Sequence, residues 1–239
     1  MAMGLRQREL SFPDGWGGKR KGAGRPSRRS TASHHPRPTH HRWQPVHVTM
    51  RVRRSLPSLR RQAIVAEIIG TFSRTGRSWF RLVHFSVQDD HVHLIVEADD
   101  KQSLGRGMAG VAIRIARATN RALHRRGSIG ACRYHARALA TPREVRNALV
   151  YVIFNLHKHV PGTRGWDLCS SAPWLEGWAT PPTGPPFNQW ATPPTGAPFD
   201  ASESPPVRRP ETWLARTGWK RHGLIRCGEC PKRKRAPPG

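Results

Sequence analysis

Two histidines one residue apart, His91 and His93, stand in the run Asp89-Asp90-His91-Val92-His93-Leu94-Ile95-Val96-Glu97. The run is rich in β-branched and other apolar residues and holds no Gly or Pro, so it predicts a strand. Side chains on a strand alternate faces, which turns both imidazoles one way and Val92, Leu94 and Val96 the other. Two neutral imidazoles on one rigid face can converge on a divalent metal. The same pair also fits two hydrogen-bonded polar residues on a half-exposed strand. A second group with chemical potential follows roughly sixty residues later, where Tyr151 and Asn155 stand at i and i+4. On a helix that spacing presents a phenol and an amide side by side.

Strong local signals define the elements that must position these groups. Val46, Val48, Met50 and Val52 alternate with polar residues and predict a strand that opens the globular domain. Leu56 to Phe72 carries apolar residues at mostly helical spacing. Trp79 to Val87 reads as a strand that turns through Asp89-Asp90 into the His-x-His strand as a hairpin. From Ser103 to Arg125, Leu104, Met108, Val111 and Ile115 share one side of a helix, while Arg114, Arg117, Arg121 and Arg125 share another. Arginines so spaced repel one another unless an anion lies beside them, which makes them either a solvated face or a contact for nucleic-acid phosphates. Ala131 to Leu139 is a short strand. Thr141-Pro142-Arg143-Glu144 then combines an N-cap, a Pro at the first helical position and a Glu that completes a capping box, so a helix begins there and runs to about His159. The Pro161-Gly162 pair ends it.

Outside this middle the composition changes. Lys and Arg number 41 against 15 acids, a formal charge of +26, and only 36% of the chain is hydrophobic, with 22 Gly and 22 Pro. Such a charge attracts polyanions, and nucleic acid is the natural partner. No apolar run approaches the roughly 18–20 residues of a membrane span, so the expectation is a cytoplasmic, nucleoid-associated protein with no membrane partner. Residues 1–44 read as a basic arm in which Gly24-Arg25-Pro26 is similar to an AT-hook core, with Arg25 suited to a narrow minor groove. Residues 161–210 form a Pro-, Gly- and Trp-rich insert in which Trp178-Ala-Thr-Pro-Pro-Thr-Gly184 recurs from Trp190. Residues 211–239 make a basic tail ending in Lys232-Arg-Lys-Arg235, with Thr212 to Ile225 able to dock on the domain. Cys227 and Cys230 would supply half a zinc site, without a second pair spaced to complete it.

The order β-α-β-β-α-β-α over residues 45–160 is that of an α+β, ferredoxin-like or RRM-like sandwich. With His91-Val92-His93 on an inner strand and Tyr151-Val-Ile-Phe-Asn155 on a later helix, the block resembles the HUH-type single-tyrosine transposases, including the REP-associated tyrosine transposases. The resemblance implies that Tyr151 is the nucleophile and that His91, His93 and Asn155 hold Mg²⁺ or Mn²⁺. It further implies nicking and rejoining of single-stranded, hairpin-forming DNA through a 5′-phosphotyrosine. The chain lacks a Walker-type Gly-rich loop, which agrees with an exchange of phosphodiesters that needs no ATP. It leaves open whether a homodimer completes the site. Asp90 stands where the family usually has Asn, and Leu156 where Pro often follows the Asn. Two other readings use the same features: a nucleic-acid-binding protein that keeps the fold without cleaving, and a rolling-circle initiator or relaxase.

Overall fold

The structure, a computed structural model, describes residues 40–156, 166–180, 205–227 and 229. The chain divides into two units, 1–33 and 34–239, and every described residue belongs to the second. Arg25 and the AT-hook-like triplet, the second Trp-Pro repeat, Cys230 and the terminal basic run lie outside the described residues.

Four strands, β1 (Val46–Arg51), β2 (Phe80–Val87), β3 (His91–Ala98) and β4 (His135–Ala138), form one antiparallel sheet in the order β2-β3-β1-β4. Between them run α1 (Gln62–Phe72) and α2 (Lys101–Ala122), and α3 (Pro142–Ile153) follows β4. The protein is therefore α+β. The His-x-His strand is internal, paired with β1 on one side and β2 on the other, as a rigid holder must be.

Each sheet face has its own core. Val46 and Val48 of β1 and Val92, Leu94 and Val96 of β3 pack with Ile64 and Ile68 of α1 and Met108, Val111 and Ile115 of α2. On the other face Val83 and Ile95 pack with Val145, Leu149 and Val152 of α3. The period-2 pattern of the strands and the stripes of the helices thus bury both sides of one sheet. In β2 the alternation slips: Phe80 and Leu82, then Phe85 and Val87, all face the first core, and the register shifts between Leu82 and His84. A β-bulge there absorbs one residue and keeps the same face buried along the strand.

Several expected boundaries move, for local reasons. The first helix starts at Gln62 rather than Leu56, because Pro57 and a bond from Ser58 Oγ to Asp89 hold the preceding residues in turns. The β2–β3 connection is a two-residue turn, Asp89-Asp90, closed by the Gln88 N–H on His91 O at 2.8 Å. No glycine is needed, since Leu59 N–H and Val52 N–H bond the carbonyls of Asp89 and Asp90 from outside. The second helix begins at Lys101, not Ser103, because Asp100 caps it by accepting the Ser103 N–H at 2.7 Å. It ends at Ala122, so Arg125 falls in the following turn, past His124 at φ 47°.

The capping box predicted at Thr141 is present, and Glu144 accepts the N–H groups of Ala140 and Thr141. Regular α3 ends at Ile153, and residues 157–159, over which the helix was expected to continue, lie outside the described residues. Phe154 leaves helical geometry at φ −110° and ψ 23°, with its ring 5.8 Å from that of Trp178, and Asn155 and Leu156 then resume helical geometry.

The boundary placed at residue 160 also moves. Residues 166–180, expected in a low-complexity insert, are built into the domain. Asp167 forms a buried two-pronged pair with Arg60, both bonds 2.8 Å, and Cys169 sits in the first core. The docking expected of Thr212 to Ile225 is observed. Glu97, buried on β3, accepts the N–H groups of Glu211 and Thr212 and the Thr212 hydroxyl, while Leu214, Trp219 and Ile225 join the core beneath α3. Each segment brings a charge partner or an apolar anchor, and that offsets the entropy of ordering it.

Candidate active site

Three residues named from the sequence meet on the α3 side of the sheet. The rings of His91 and His93 lie edge to face, centroids 4.6 Å apart. Tyr151, on α3, places its ring 5.0 Å from that of His93, again edge on. The strand alternation and the α3 core stripe account for this meeting. With Ile95 buried beneath the helix, the other residues of the same β3 face, His91 and His93, turn toward Tyr151.

Hydrogen bonds orient both imidazoles. His91 Nδ1 lies 2.6 Å from Asp90 Oδ1. This contact, first among the causes, holds the Asp90 carboxyl below its ordinary range. His93 Nδ1 lies 3.1 Å from Thr49 Oγ1, its cross-strand partner on β1. The tautomers that carry hydrogen on Nδ1 leave each Nε2 as an electron-pair donor, the form a cation requires.

Asn155, the third ligand named from the sequence, is completely buried. Both its amide atoms are without a hydrogen-bond partner among the described residues. It stands just beyond the Phe154 break and not on the regular part of α3. Among the described residues no group of three or more His, Cys, Asp or Glu side chains is arranged to hold a metal; the set expected here takes an amide as its third donor.

The face carries residues that the sequence analysis did not single out. His47 of β1 lies 5.3 Å from the His93 ring and 5.7 Å from the Tyr151 ring. Burial, helped by His135 and Arg137, lowers its pKa to about 4, so the ring is neutral at physiological pH. Its Nε2 is buried with no hydrogen-bond partner among the described residues. Arg51, exposed on the same strand, is in register with His91. Burial raises the Tyr151 pKa, and the Arg51 charge opposes that rise. The signal for all three β1 residues is the polar half of the alternation, His47-x-Thr49-x-Arg51, whereas the apolar half alone suffices to place the strand.

The basic helix does not join this group. Because α2 packs on the opposite sheet face, Arg114, Arg117 and Arg121 belong to the other side of the domain from Tyr151. Arg121 is paired with Glu67 at 2.7 Å. Arg117, Arg121, His124, Arg125 and Arg126 line an open cleft of about 500 Å³ at the end of α2, with no acidic residue in its lining.

No protein-family model matches the chain, and no curated protein matches it. Among solved structures, a REP-associated tyrosine transposase bound to a REP hairpin is similar, with a TM-score of 0.42 and 19% identity over 54% of this chain and 74% of that one. No helix among the described residues is long and apolar enough to cross a membrane.

Proposed function

We propose that this chain is a tyrosine transposase that nicks and rejoins single-stranded, hairpin-forming DNA, with Tyr151 as the nucleophile. The observation that carries the reading is the Tyr151 ring 5.0 Å from His93 and, through it, the His91 pair on an inner strand. A phenol beside two oriented imidazoles on a basic protein suits attack on phosphorus better than it suits a structural contact. The strand order β2-β3-β1-β4 and the β-α-β-β-α-β succession support the ferredoxin-like form of the fold.

The donor set fits a divalent cation such as Mg²⁺ or Mn²⁺. His91 and His93 would offer Nε2, and the buried Asn155 amide has an oxygen without another partner among the described residues. When bound, that cation would polarise the scissile phosphate. The remaining steps belong to the chain. Tyr151 gives up its phenolic proton to water and its oxygen attacks phosphorus; the bond to the 3′-oxygen breaks, and that oxygen leaves as a hydroxyl after taking a proton from water. The 5′-phosphate stays on Tyr151 until a 3′-hydroxyl reverses the exchange. Arg51, at the mouth of the site, supplies positive charge where the phosphate gains negative charge. Arg114, Arg117, Arg121 and Arg125 serve phosphate contacts away from the chemistry, as Arg25 would from the N-terminal arm.

The test incubates the protein with Mn²⁺ or Mg²⁺ and a hairpin-bearing single strand labelled on its 3′ side. A denaturant-resistant protein–DNA adduct is expected, lost in Tyr151→Phe while salt-sensitive binding persists. Binding with no adduct on any hairpin substrate would leave a nucleic-acid-binding protein, and an adduct that survives Tyr151→Phe would remove the nucleophile.

A further inference from the structure

The β4 edge of the sheet, which pairs with no further strand among the described residues, carries a second feature. Beneath β4, against the first turn of α2, lies a cavity of about 560 Å³ lined by Lys101, Leu104, Arg133, Tyr134, Ala136 and Arg137, among others. Its size falls within the roughly 300–1,000 Å³ of small-molecule sites. Its lining includes no carboxylate. His40 also faces it, with Nδ1 buried and lacking a hydrogen-bond partner among the described residues. Lys101 and Arg133 are exposed and make no ion pair among the described residues; Arg137 is bonded to Glu144.

Strand alternation divides β4 between two tasks. Ala136 and Ala138 pair with Val48 and Val46 and so look toward the α2 side, where Tyr134 also packs. His135 and Arg137 pair with Thr49 and His47, and therefore look toward the face that carries His93 and Tyr151. One short edge strand thus shows an aromatic ring and apolar floor on one side and basic groups toward the nucleophile on the other.

We infer that this cavity is a nucleotide subsite: it takes one base against Tyr134, with the flanking phosphates on Lys101 and Arg133, from the same DNA strand that is cut at Tyr151. A planar ring and an apolar floor ringed by cations match the faces of a base and the charge of its backbone. The register supplies the path, because a strand leaving the cavity over β4 meets His135 and Arg137 before it reaches His47. An added peptide strand is the competing occupant. It suits the edge less well, since Arg133 and Arg137, exposed on β4 and its approach, are charged groups that resist edge-to-edge pairing. This inference rests on the proposed function for the identity of the strand.

The test uses the full chain and a hairpin-bearing oligonucleotide carrying 4-thiothymidine at successive positions around the cut. Irradiation should crosslink one or two adjacent positions to residues 133–137, mapped by mass spectrometry. Tyr134→Ala should weaken binding roughly tenfold while Tyr134→Phe keeps it. Should Tyr134→Ala fail to fold, the exposed pair Lys101→Ala with Arg133→Ala serves instead, and the slope of log Kd against log salt should shrink by about 0.7 for each phosphate that is no longer neutralised. Crosslinks confined to other elements, or an unchanged slope, would overturn the subsite. So would a dimer in sedimentation that Tyr134→Ala dissociates, because a second copy would then occupy the edge. Crosslinks on β4 without any Tyr151 adduct would uphold the subsite and remove the catalytic reading alone.

Discussion

Asp90 Oδ1 stands 2.6 Å from His91 Nδ1, and the Asp90 carbonyl is fixed in turn by the Val52 N–H at 2.8 Å. An ionised carboxylate only accepts, so the imidazole donates its Nδ1–H and directs Nε2 away from the strand end. Asp90 therefore acts on the imidazole ring. It sets the tautomer and the orientation of the His91 ring.

Asp90→Ala is expected to weaken Mn²⁺ binding by about 10- to 100-fold, the usual cost of losing an orienting partner behind a histidine ligand. Asp90→Asn, which keeps an acceptor oxygen, should lose less. Titration of the protein with Mn²⁺, followed by the electron spin resonance signal of the free ion, reads both values. Equal affinity in wild type and Asp90→Ala would show that the carboxylate does not position a ligand.

The pair between Arg60 and Asp167 makes a separate prediction about stability. Both side chains are 2% exposed, and Arg60 Nη1 also donates to Val87 O at 2.9 Å. Removing one member strands a buried charge, so Asp167→Ala should cost about 3–5 kcal/mol in urea denaturation. Replacing both, as Arg60→Met with Asp167→Leu, should recover most of that loss. If the single and double replacements were equally destabilised, the cost would lie in packing rather than in the unpaired guanidinium.

How much of this was legible follows from the range of each interaction. The His-x-His strand and the start of α3 were readable because alternation and a capping box are written within a few residues. His47 was not, because its place opposite Ile95 depends on the β1–β3 register, which no local pattern states. Arg60 and Asp167 are 107 residues apart, and nothing near either announces the other. The bulge at Leu82/His84 carries no Gly or Pro to mark it. The break in the helix at Phe154 carries no local mark, because Phe154 packs on Trp178, which belongs to a segment that composition alone sets outside the domain.

Acid should weaken the fold in a defined window. His84 is buried against Ser171 Oγ at 3.0 Å, and burial lowers its pKa from 6.5 to about 4. A base with a depressed folded pKa binds its proton more readily when unfolded, so stability is full above pH 6.5 and falls as the pH drops toward 4. On the scale of 1.36 kcal/mol per pH unit, the loss attributable to His84 is on the order of 3 kcal/mol. Urea midpoints at pH 7.5 and 4.5 measure it. His84→Gln should flatten the difference, and a slope identical to wild type would assign the acid sensitivity to other groups such as His47.

Gly177 lies so close to Trp219 that a Cβ would stand 2.3 Å from the indole. Trp219 is buried, donates Nε1–H to Ala215 O at 2.9 Å, and belongs to the core that supports α3. Gly177→Ala must therefore displace a ring held by both packing and a hydrogen bond, and overpacking of this kind costs about 1–3 kcal/mol. Because the ring lies in the core beneath the helix that carries Tyr151, the displacement should also slow adduct formation while leaving salt-dependent DNA binding unchanged. Differential scanning calorimetry and the adduct assay on the same preparation test the two halves together. A variant as stable as wild type would show that the indole has room to move, and a destabilised variant with normal adduct formation would uncouple the C-terminal segment from the position of Tyr151.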